Sequence, residues 1–280
     1  MQKERDYVRP PAVAGLFYPA ERGELERECM ALLERARGDL VTERRKRPFG
    51  IISPHAGYTY SGFTAAHGYA TLSRGQFKRV IVVSPSHREY FDGISVFSGK
   101  AYSTPLGEVA VDSGLREAFM ETAGEVAIES RAGHKSEHAL EVQLPFLQLQ
   151  LGEFTLLPIV MGDQKRRYCN TLGEVLAALA KDETTLVVAS SDLSHYYDYD
   201  TANDMDDVCI DDVARLDPVR LLEDIESRRC EACGGGPIVA LMMAARKSGM
   251  TKGEILHHCN SGDTTRDKSA VVGYLSAVVS

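Results

Sequence analysis

The sequence predicts an α/β fold: a mainly parallel or mixed central sheet covered by helices. Three observations lead to this prediction. Continuous β-branched segments, such as residues 79–84 and 184–189, are typical of strands buried on both faces. Segments with a helical period, such as residues 24–37, alternate with those strands along the chain. The composition, with 44% hydrophobic and 26% charged residues, is that of an ordinary globular protein.

The predicted elements follow one another with short connections and no repeat. Apolar segments predict strands at residues 49–53, 79–84, 154–161, 184–189, 253–259 and 270–279. Helical periodicity predicts helices at residues 24–37, 62–72, 136–151 (interrupted near Pro145), 166–180, 202–216, 219–228 and 236–247. Residues 94–112, with a Thr-Pro-Leu-Gly turn, are predicted to form a β excursion at the sheet edge. We expect one domain over residues 1–280.

Charge and hydropathy exclude several classes of protein. The net charge of -8 argues against broad binding to nucleic acid, and the basic cluster at residues 44–47 is interpreted as a solvated loop. No apolar run approaches the roughly 18–20 residues that a membrane span requires, so no membrane partner is expected. The charged N-terminus lacks the apolar region of a secretory signal. Six cysteines are too sparse for a disulfide scaffold, which favours reduced thiols and a cytoplasmic protein.

Three predicted strands end in serine followed closely by histidine. His55, His87 and His195 each lie just beyond an apolar strand. Ligands bind at the carboxyl ends of strands in open parallel sheets, so we expect these imidazoles to share one crevice. The 32-position step from His55 to His87 matches one βαβ unit and favours neighbouring strands. One such histidine is typical of a loop residue, whereas three at equivalent positions favour a metal or proton-transfer site. The Ser-Pro and Ser-Ser pairs before them can orient ligands through hydrogen bonds.

Two further segments carry candidate residues. His138 and Glu141 stand at i and i+3 of a predicted helix, which indicates either an ordinary helical pair or a proton shuttle at the crevice rim. Cys233 precedes a glycine run and an apolar helix. That run is interpreted either as a simple loop or as a place where a thiol of lowered pKa binds a soft metal.

Together, these segments resemble the Memo family, also called AmmeMemoRadiSam system protein B. The matching motifs are RPPAVAGLFYP at residues 9–19, SPHAGYTYSG at 53–62, SPSH at 84–87, TPLG at 104–107, EH through QLPF at 137–146, SSDLSH at 190–195 and NSGD at 260–263. The family's fold is similar to that of class III non-haem iron extradiol dioxygenases, which open catechol-like rings using two histidines and a carboxylate.

The resemblance implies a metal triad of His55, His87 and Cys233, with Asp192 and His195 lining the same pocket. Cys233 takes the place of the dioxygenases' carboxylate. Two imidazoles with a thiolate suit iron or copper, and zinc is also compatible. An oxidisable thiolate beside bound oxygen argues against ring-cleaving dioxygenase activity.

Three functions are therefore compatible with the sequence. The first is a metal-dependent oxidoreductase acting on a small molecule, with His195 or His138 as acid/base and Asp192 orienting His195. The second is a non-catalytic module that binds a small molecule or peptide in a dioxygenase-like pocket. The third, metal-assisted hydrolysis, ranks well behind them. The resemblance also implies a pathway link to radical-SAM and AMMECR-type proteins.

Overall fold

The computed structural model describes residues 5–40 and 47–280. Most of the basic cluster, residues 44–46, and the start of the N-terminal segment lie outside the described residues. The strands are β1 (Val8–Arg9), β2 (Gly50–Ser53), β3 (Arg79–Pro85), β4 (Ile94–Phe97), β5 (Ala101–Thr104), β6 (Gly107–Ala110), β7 (Ala127–Ser130), β8 (Thr155–Met161), β9 (Thr185–Ser190), β10 (His195–Tyr197), β11 (Gly253–Asn260) and β12 (Val271–Val279).

The helices lie between these strands. They are α1 (Arg22–Asp39), α2 (Phe63–Ala70), α3 (Ser113–Ala123), α4 (Leu144–Leu151), α5 (Arg166–Leu179), α6 (Tyr199–Ala214), α7 (Pro218–Glu226), α8 (Gly235–Lys247) and α9 (Ser261–Thr265). Aspartates begin three of them: the side chains of Asp112, Asp198 and Asp217 accept backbone N–H groups in the first turns of α3, α6 and α7. None of the described helices is both long and apolar enough to cross a membrane.

A mixed sheet forms the centre of the protein and confirms the predicted fold class. Its order is β10-β12-β2-β9-β3-β8-β4-β7, and β11 pairs with β12. The four central strands, β2, β9, β3 and β8, are parallel, whereas β12 and β4 run antiparallel to their neighbours β2 and β8. The predicted β excursion is divided: β4 joins the main sheet, and β5 and β6 pair with each other beside β1 in a separate small sheet.

The central strands bury both faces, as their β-branched composition predicts. Along β3, Ile81 and Val83 belong to one apolar cluster, and Val80 and Val82 belong to another on the opposite face. Helices α3, α5, α6, α7 and α8 supply the first cluster, and helices α1, α2 and α4 supply the second. The sheet is therefore held between two helical layers, which fixes the positions of the strand ends.

Two sequence predictions about these elements are wrong. The strands that precede His55 and His87 are not neighbours, because β9 lies between β2 and β3 and pairs with both. The predicted helix at residues 136–151 is regular only from Leu144, and Pro145 starts it rather than interrupting it. Proline fits the first helical turn because its missing N–H has no intrahelical partner there. His138 and Glu141 therefore do not share a helix face.

Candidate metal centre

The carboxyl ends of β2, β9 and β3 lie at the same edge of the sheet and bring the predicted histidines together. The ring centroids of His55 and His87 are 5.0 Å apart, and the His138 ring lies 4.8 Å from His87 and 5.5 Å from His55. The shared crevice is therefore present, although the third imidazole beside His55 and His87 is that of His138. His195 lies at the start of β10, half-exposed, with its ring 5.8 Å from Tyr196.

His55 is held in one tautomer by Ser190. Its Nδ1 lies 2.9 Å from Ser190 Oγ, which already donates its only proton to the carbonyl of Ala139. The same Oγ accepts an amide proton from Gln143, whose orientation is set by the Tyr69 hydroxyl. Ser190 must therefore accept from His55, so Nδ1 carries the proton and Nε2 carries the lone pair.

His87 is also held in one tautomer, and here the hydrogen-bond acceptor is Glu137. Its Nδ1 lies 3.0 Å from Glu137 Oε1, and its backbone N–H donates to Glu137 Oε2 at 2.6 Å. Burial opposes ionisation of Glu137, but the hydrogen bonds from His87 outweigh burial and lower the pKa of the carboxyl to about 2. An ionised carboxylate can only accept. Nδ1 of His87 is therefore the donor, and Nε2 is the nitrogen available to a ligand.

Cys233 faces the free nitrogen of His55 from the loop before α8. Its Sγ lies 3.1 Å from His55 Nε2 and accepts the N–H of Asp192 at 3.3 Å. The loop packs closely on β9, because a Cβ at Gly234 would lie only 2.2 Å from the carbonyl oxygen of Ser190. Gln164 pins the loop further by donating to the carbonyl of Cys233. The glycine run thus permits close approach of backbone to backbone, a role glycine fills because it lacks Cβ.

One of the two interpretations of the glycine run, a thiol of lowered pKa at Cys233, is wrong. Burial, with a contribution from the nearby Asp192 carboxylate, raises the pKa of the thiol far above its ordinary value. Without a cation the sulfur is therefore a neutral thiol. A bound metal ion would reverse this, because a coordinating thiol loses its proton outright.

Among the described residues, two sets of three side chains have metal-ligating atoms within 4.8 Å of one another. They are His55, His87 and Cys233, and His87, Glu137 and His138. In the second set Glu137 Oε1 already accepts the backbone N–H groups of His138 and Ala139, besides Nδ1 of His87. Glu137 Oε1 therefore already serves as a hydrogen-bond acceptor and is less suited to bind a metal ion. The first set has two unprotonated nitrogens and a sulfur, and its donors suit iron or copper.

Asp192 and His138 complete the buried surroundings of this centre. Asp192 accepts the His55 backbone N–H at 2.6 Å, and its Oδ2 lies 4.0 Å from His55 Nε2. Burial raises the pKa of Asp192, and this hydrogen bond opposes the rise. Burial is the main cause that lowers the pKa of His138 to about 4, and the neighbouring imidazole of His55 adds to the shift. Burial is also the main cause that lowers the pKa of His55. The electrostatic effect of His195 acts to lower the pKa of both His55 and Asp192. The imidazoles of His55 and His138 are therefore neutral near pH 7.

The sequence indicated one of the side chains that orient the two histidines and missed the other. The serines before the histidines were expected to orient ligands through hydrogen bonds, and Ser190 does so for His55. Glu137 had no assigned role, and Gln143 was noted only as part of its helix. Glu141, expected to pair with His138, instead binds Arg9, the backbone N–H groups of Ala12 and Val13, and the hydroxyl of Tyr18.

Comparisons with known proteins identify the family of this chain. A family model described as "Memo-like protein" matches residues 9–278. A MEMO1 family protein from Methanosarcina acetivorans is 38% identical over 275 residues, which cover 97% of this chain and 99% of the relative. Another from Nitrosopumilus maritimus is 35% identical over 269 residues, covering 95% and 98%.

One solved structure bears on the fold alone. An uncharacterized protein from Escherichia coli K12 aligns with a TM-score of 0.57 at 15% sequence identity, covering 84% of this chain and 100% of that chain. The family model, by contrast, matches a range of the chain that includes His55, His87 and Cys233. The chain belongs to the Memo-like family.

Proposed function

We propose that this protein is a metal-dependent oxidoreductase that holds iron or copper through His55, His87 and Cys233 and acts on a small molecule. The observation that carries the proposal is that metal-ligating atoms of His55, His87 and Cys233 lie within 4.8 Å of one another. Ser190 and Glu137 accept hydrogen bonds from Nδ1 of the two histidines, so the proton stays on Nδ1 and both Nε2 atoms are free. Cys233 Sγ then lies 3.1 Å from His55 Nε2. Outer partners of this kind orient ligands and raise their basicity in metal sites.

A bound iron or copper ion would supply electron transfer and oxygen chemistry at this edge of the sheet. The chain's own residues do the rest. Asp192 holds the backbone of His55 and places a carboxylate 4.0 Å from Nε2. His138 is neutral near pH 7, since burial and His55 lower its pKa to about 4, so its imidazole can accept a proton from a substrate hydroxyl. His195, at the half-exposed side, can exchange that proton with solvent.

Turnover with different metals tests this function. Protein loaded anaerobically with iron, copper or zinc is supplied with oxygen and a panel of small phenolic and oxygen-bearing molecules, and oxygen consumption is measured. We expect consumption with iron or copper, none with zinc, and none in His55→Ala with any metal. Hydrolysis that proceeds equally with zinc would instead indicate the hydrolase. Tight ligand binding with no turnover under any metal would contradict the proposal and indicate the binding module.

A matched variant distinguishes loss of the metal ligand from a general loss of folded protein. Cys259 is, like Cys233, a half-buried thiol near a histidine, but it contacts Thr64 rather than the crevice. Cys259→Ser should keep the oxygen consumption that Cys233→Ser loses.

A further inference from the structure

Gln164 follows β8, the central strand whose carboxyl end has no role yet in the metal centre. β8 runs parallel to β3, and their last paired residues are Met161 and Pro85. The N–H of Ser86 donates to the carbonyl of Met161 at 3.0 Å. Ser86 directly precedes His87 in the chain. The loop that carries Gln164 therefore starts beside the loop that carries His87.

The side-chain amide of Gln164 contacts both ends of the glycine-rich loop at residues 233–236. Its Nε2 donates to the carbonyl of Cys233 at 2.8 Å, and its Oε1 accepts the N–H of Gly236 at 2.6 Å. This orientation of the amide gives each backbone group the partner it needs. N–H groups in the first turn of a helix have no intrahelical acceptor, and Oε1 provides one for α8. Gln164 therefore joins Cys233 to the start of the helix that follows it.

The position of Gln164 is fixed by contacts outside that loop. The buried thiol of Cys169, on α5, donates to the backbone carbonyl of Gln164 at 3.1 Å. The side chain then approaches the loop closely, because a Cβ at Gly236 would lie 2.9 Å from Cβ of Gln164 and 3.0 Å from its Oε1. Glycine allows this approach because it lacks Cβ. Gln164 is thus a fixed support on which the loop rests.

The loop needs such a support because three consecutive glycines follow Cys233. Glycine restricts the backbone less than any other residue. On the amino side of Cys233, its own N–H donates to the carbonyl of Asp192 at 3.2 Å. On the carboxyl side, its carbonyl accepts from Gln164, and the next N–H, that of Gly234, donates to Ser191 Oγ at 2.8 Å. These contacts on both sides of the Cys233 Cα set the direction in which the thiol projects.

We propose that Gln164 is a positioning residue for the metal centre: it fixes the carbonyl side of Cys233 and thereby holds Sγ toward Nε2 of His55. The sulfur lies 3.1 Å from that nitrogen. The proposal rests on the proposed function, and specifically on Cys233 as a metal ligand. Gln164 does not contact the metal-ligating atoms themselves, so it acts through the backbone of Cys233.

The test replaces Gln164 and uses cobalt(II), added anaerobically, as the probe. A thiolate bound to cobalt gives a charge-transfer absorption that imidazole ligands do not give. Gln164→Leu keeps a side chain of similar size and removes both hydrogen bonds. Gln148→Leu is the matched control, because the half-buried amide of Gln148 also makes two kinds of hydrogen bond, to the carbonyl of Gly107 and from the hydroxyl of Thr104.

Three readouts are measured: the charge-transfer band per bound cobalt, the cobalt affinity by titration, and hydrogen exchange of the Gly236 amide in metal-free protein. In Gln164→Leu we expect faster exchange at Gly236, because its N–H loses the acceptor. The affinity should fall about 10–100-fold, the usual effect of removing a residue that orients a metal ligand. The band should weaken, because Sγ of Cys233 is no longer held toward the cation. Gln148→Leu should leave all three readouts unchanged.

An unchanged band and affinity in folded Gln164→Leu overturn the proposal. Faster exchange at Gly236 does not rescue it in that case, because the side chain then supports the loop without positioning the thiol. If Gln164→Leu does not fold, Gln164→Glu decides by the same band and affinity, since its carboxylate keeps an acceptor for Gly236 and has no donor for Cys233. A weaker band and affinity support the proposal, and unchanged values overturn it.

Failure of the proposed function is distinguishable from failure of this proposal. A charge-transfer band that is absent from the unmodified protein, or that persists in Cys233→Ser, removes Cys233 as a ligand and overturns both. A band that depends on Cys233 and on Gln164, in a protein that consumes no oxygen with iron or copper, overturns the oxidoreductase and supports the role of Gln164.

Discussion

Ser190 Oγ accepts a hydrogen bond from His55 Nδ1 at 2.9 Å, and this contact decides which nitrogen of His55 can bind a ligand. The hydroxyl has one proton, and the carbonyl of Ala139 takes it at 2.7 Å. The amide of Gln143 occupies one of the two lone pairs of the oxygen at 2.8 Å. The remaining lone pair fits only a protonated Nδ1. His55 therefore presents an unprotonated Nε2 toward Cys233.

Loss of this hydroxyl should weaken metal binding while leaving the fold intact. In Ser190→Ala the proton of His55 is free to move to Nε2, where it competes with a metal ion. We expect the affinity for the metal to fall about 10–100-fold, the usual effect of removing an outer partner. Competition titration with a chromophoric chelator measures this affinity.

Ser84 provides the control for Ser190. It is a buried serine near the end of β3, and its Oγ has no hydrogen-bond partner among the described residues. Ser84→Ala should leave the metal affinity unchanged. Equal losses in Ser84→Ala and Ser190→Ala would contradict the assignment of the tautomer.

Glu137 should have a comparable effect through His87. Its carboxylate accepts both Nδ1 and the backbone N–H of His87, and Glu137→Gln removes the charge that holds the proton on Nδ1. We expect a fall of about 10–100-fold in metal affinity, measured by the same chelator competition. Glu89→Gln changes a carboxylate that instead accepts the N–H of Gly133 and should have little effect. Retained affinity in Glu137→Gln would show that His87 is held by other contacts.

The buried pair Arg9 and Glu141 should dominate the stability of the segment next to the site. Both side chains are fully buried, and Arg9 also donates to the carbonyls of His134 and Glu137. Arg9→Met leaves a buried carboxylate without its cation, which should lower the free energy of unfolding by about 3–5 kcal/mol. Denaturant unfolding measures this change.

An exposed pair serves as the reference for Arg9. Arg22 and Glu26 form an i,i+4 pair on α1 at 3.0 Å, with both side chains largely exposed. Arg22→Met should lower the free energy of unfolding by only about 0.3–0.5 kcal/mol. A loss in Arg9→Met no larger than the loss in Arg22→Met would refute the structural role given to Arg9.

Buried His134 should make stability depend on pH below neutrality. Burial is the main cause that lowers its pKa from 6.5 to about 3. Between these two values the unfolded chain binds a proton that the folded chain does not, so stability falls as pH decreases from about 6.5 toward 3. The contribution has a slope of at most ~1.4 kcal/mol per pH unit. Denaturant unfolding at several pH values should give a shallower slope for His134→Gln than for the unmodified protein. Equal slopes would contradict this account.

The sequence predicted the position of the crevice because short β-branched strands and the residues that follow them are local features. The order of the strands depends on which helices cross the sheet, and no local pattern around His55 or His87 showed that β9 would separate β2 from β3. The segment around His138 was predicted helical from its periodicity. In the structure, the Glu137 carboxylate accepts the next two backbone N–H groups and His87 and thereby replaces a first helical turn. The hydrogen bond between Glu137 and His87 joins residues far apart in the chain, and such a contact leaves no periodic signal in the sequence.

Metal content tests the central claim most directly. The protein is purified anaerobically without a histidine tag, and bound metals are measured by mass spectrometry beside His55→Ala, Cys233→Ser and the control Cys259→Ser. We predict near-stoichiometric iron or copper in the unmodified protein and in Cys259→Ser, and its loss in both crevice variants while they remain folded. Metal-free protein that also fails to take up added iron, copper or zinc would contradict the metal centre and leave the histidine crevice as a recognition site.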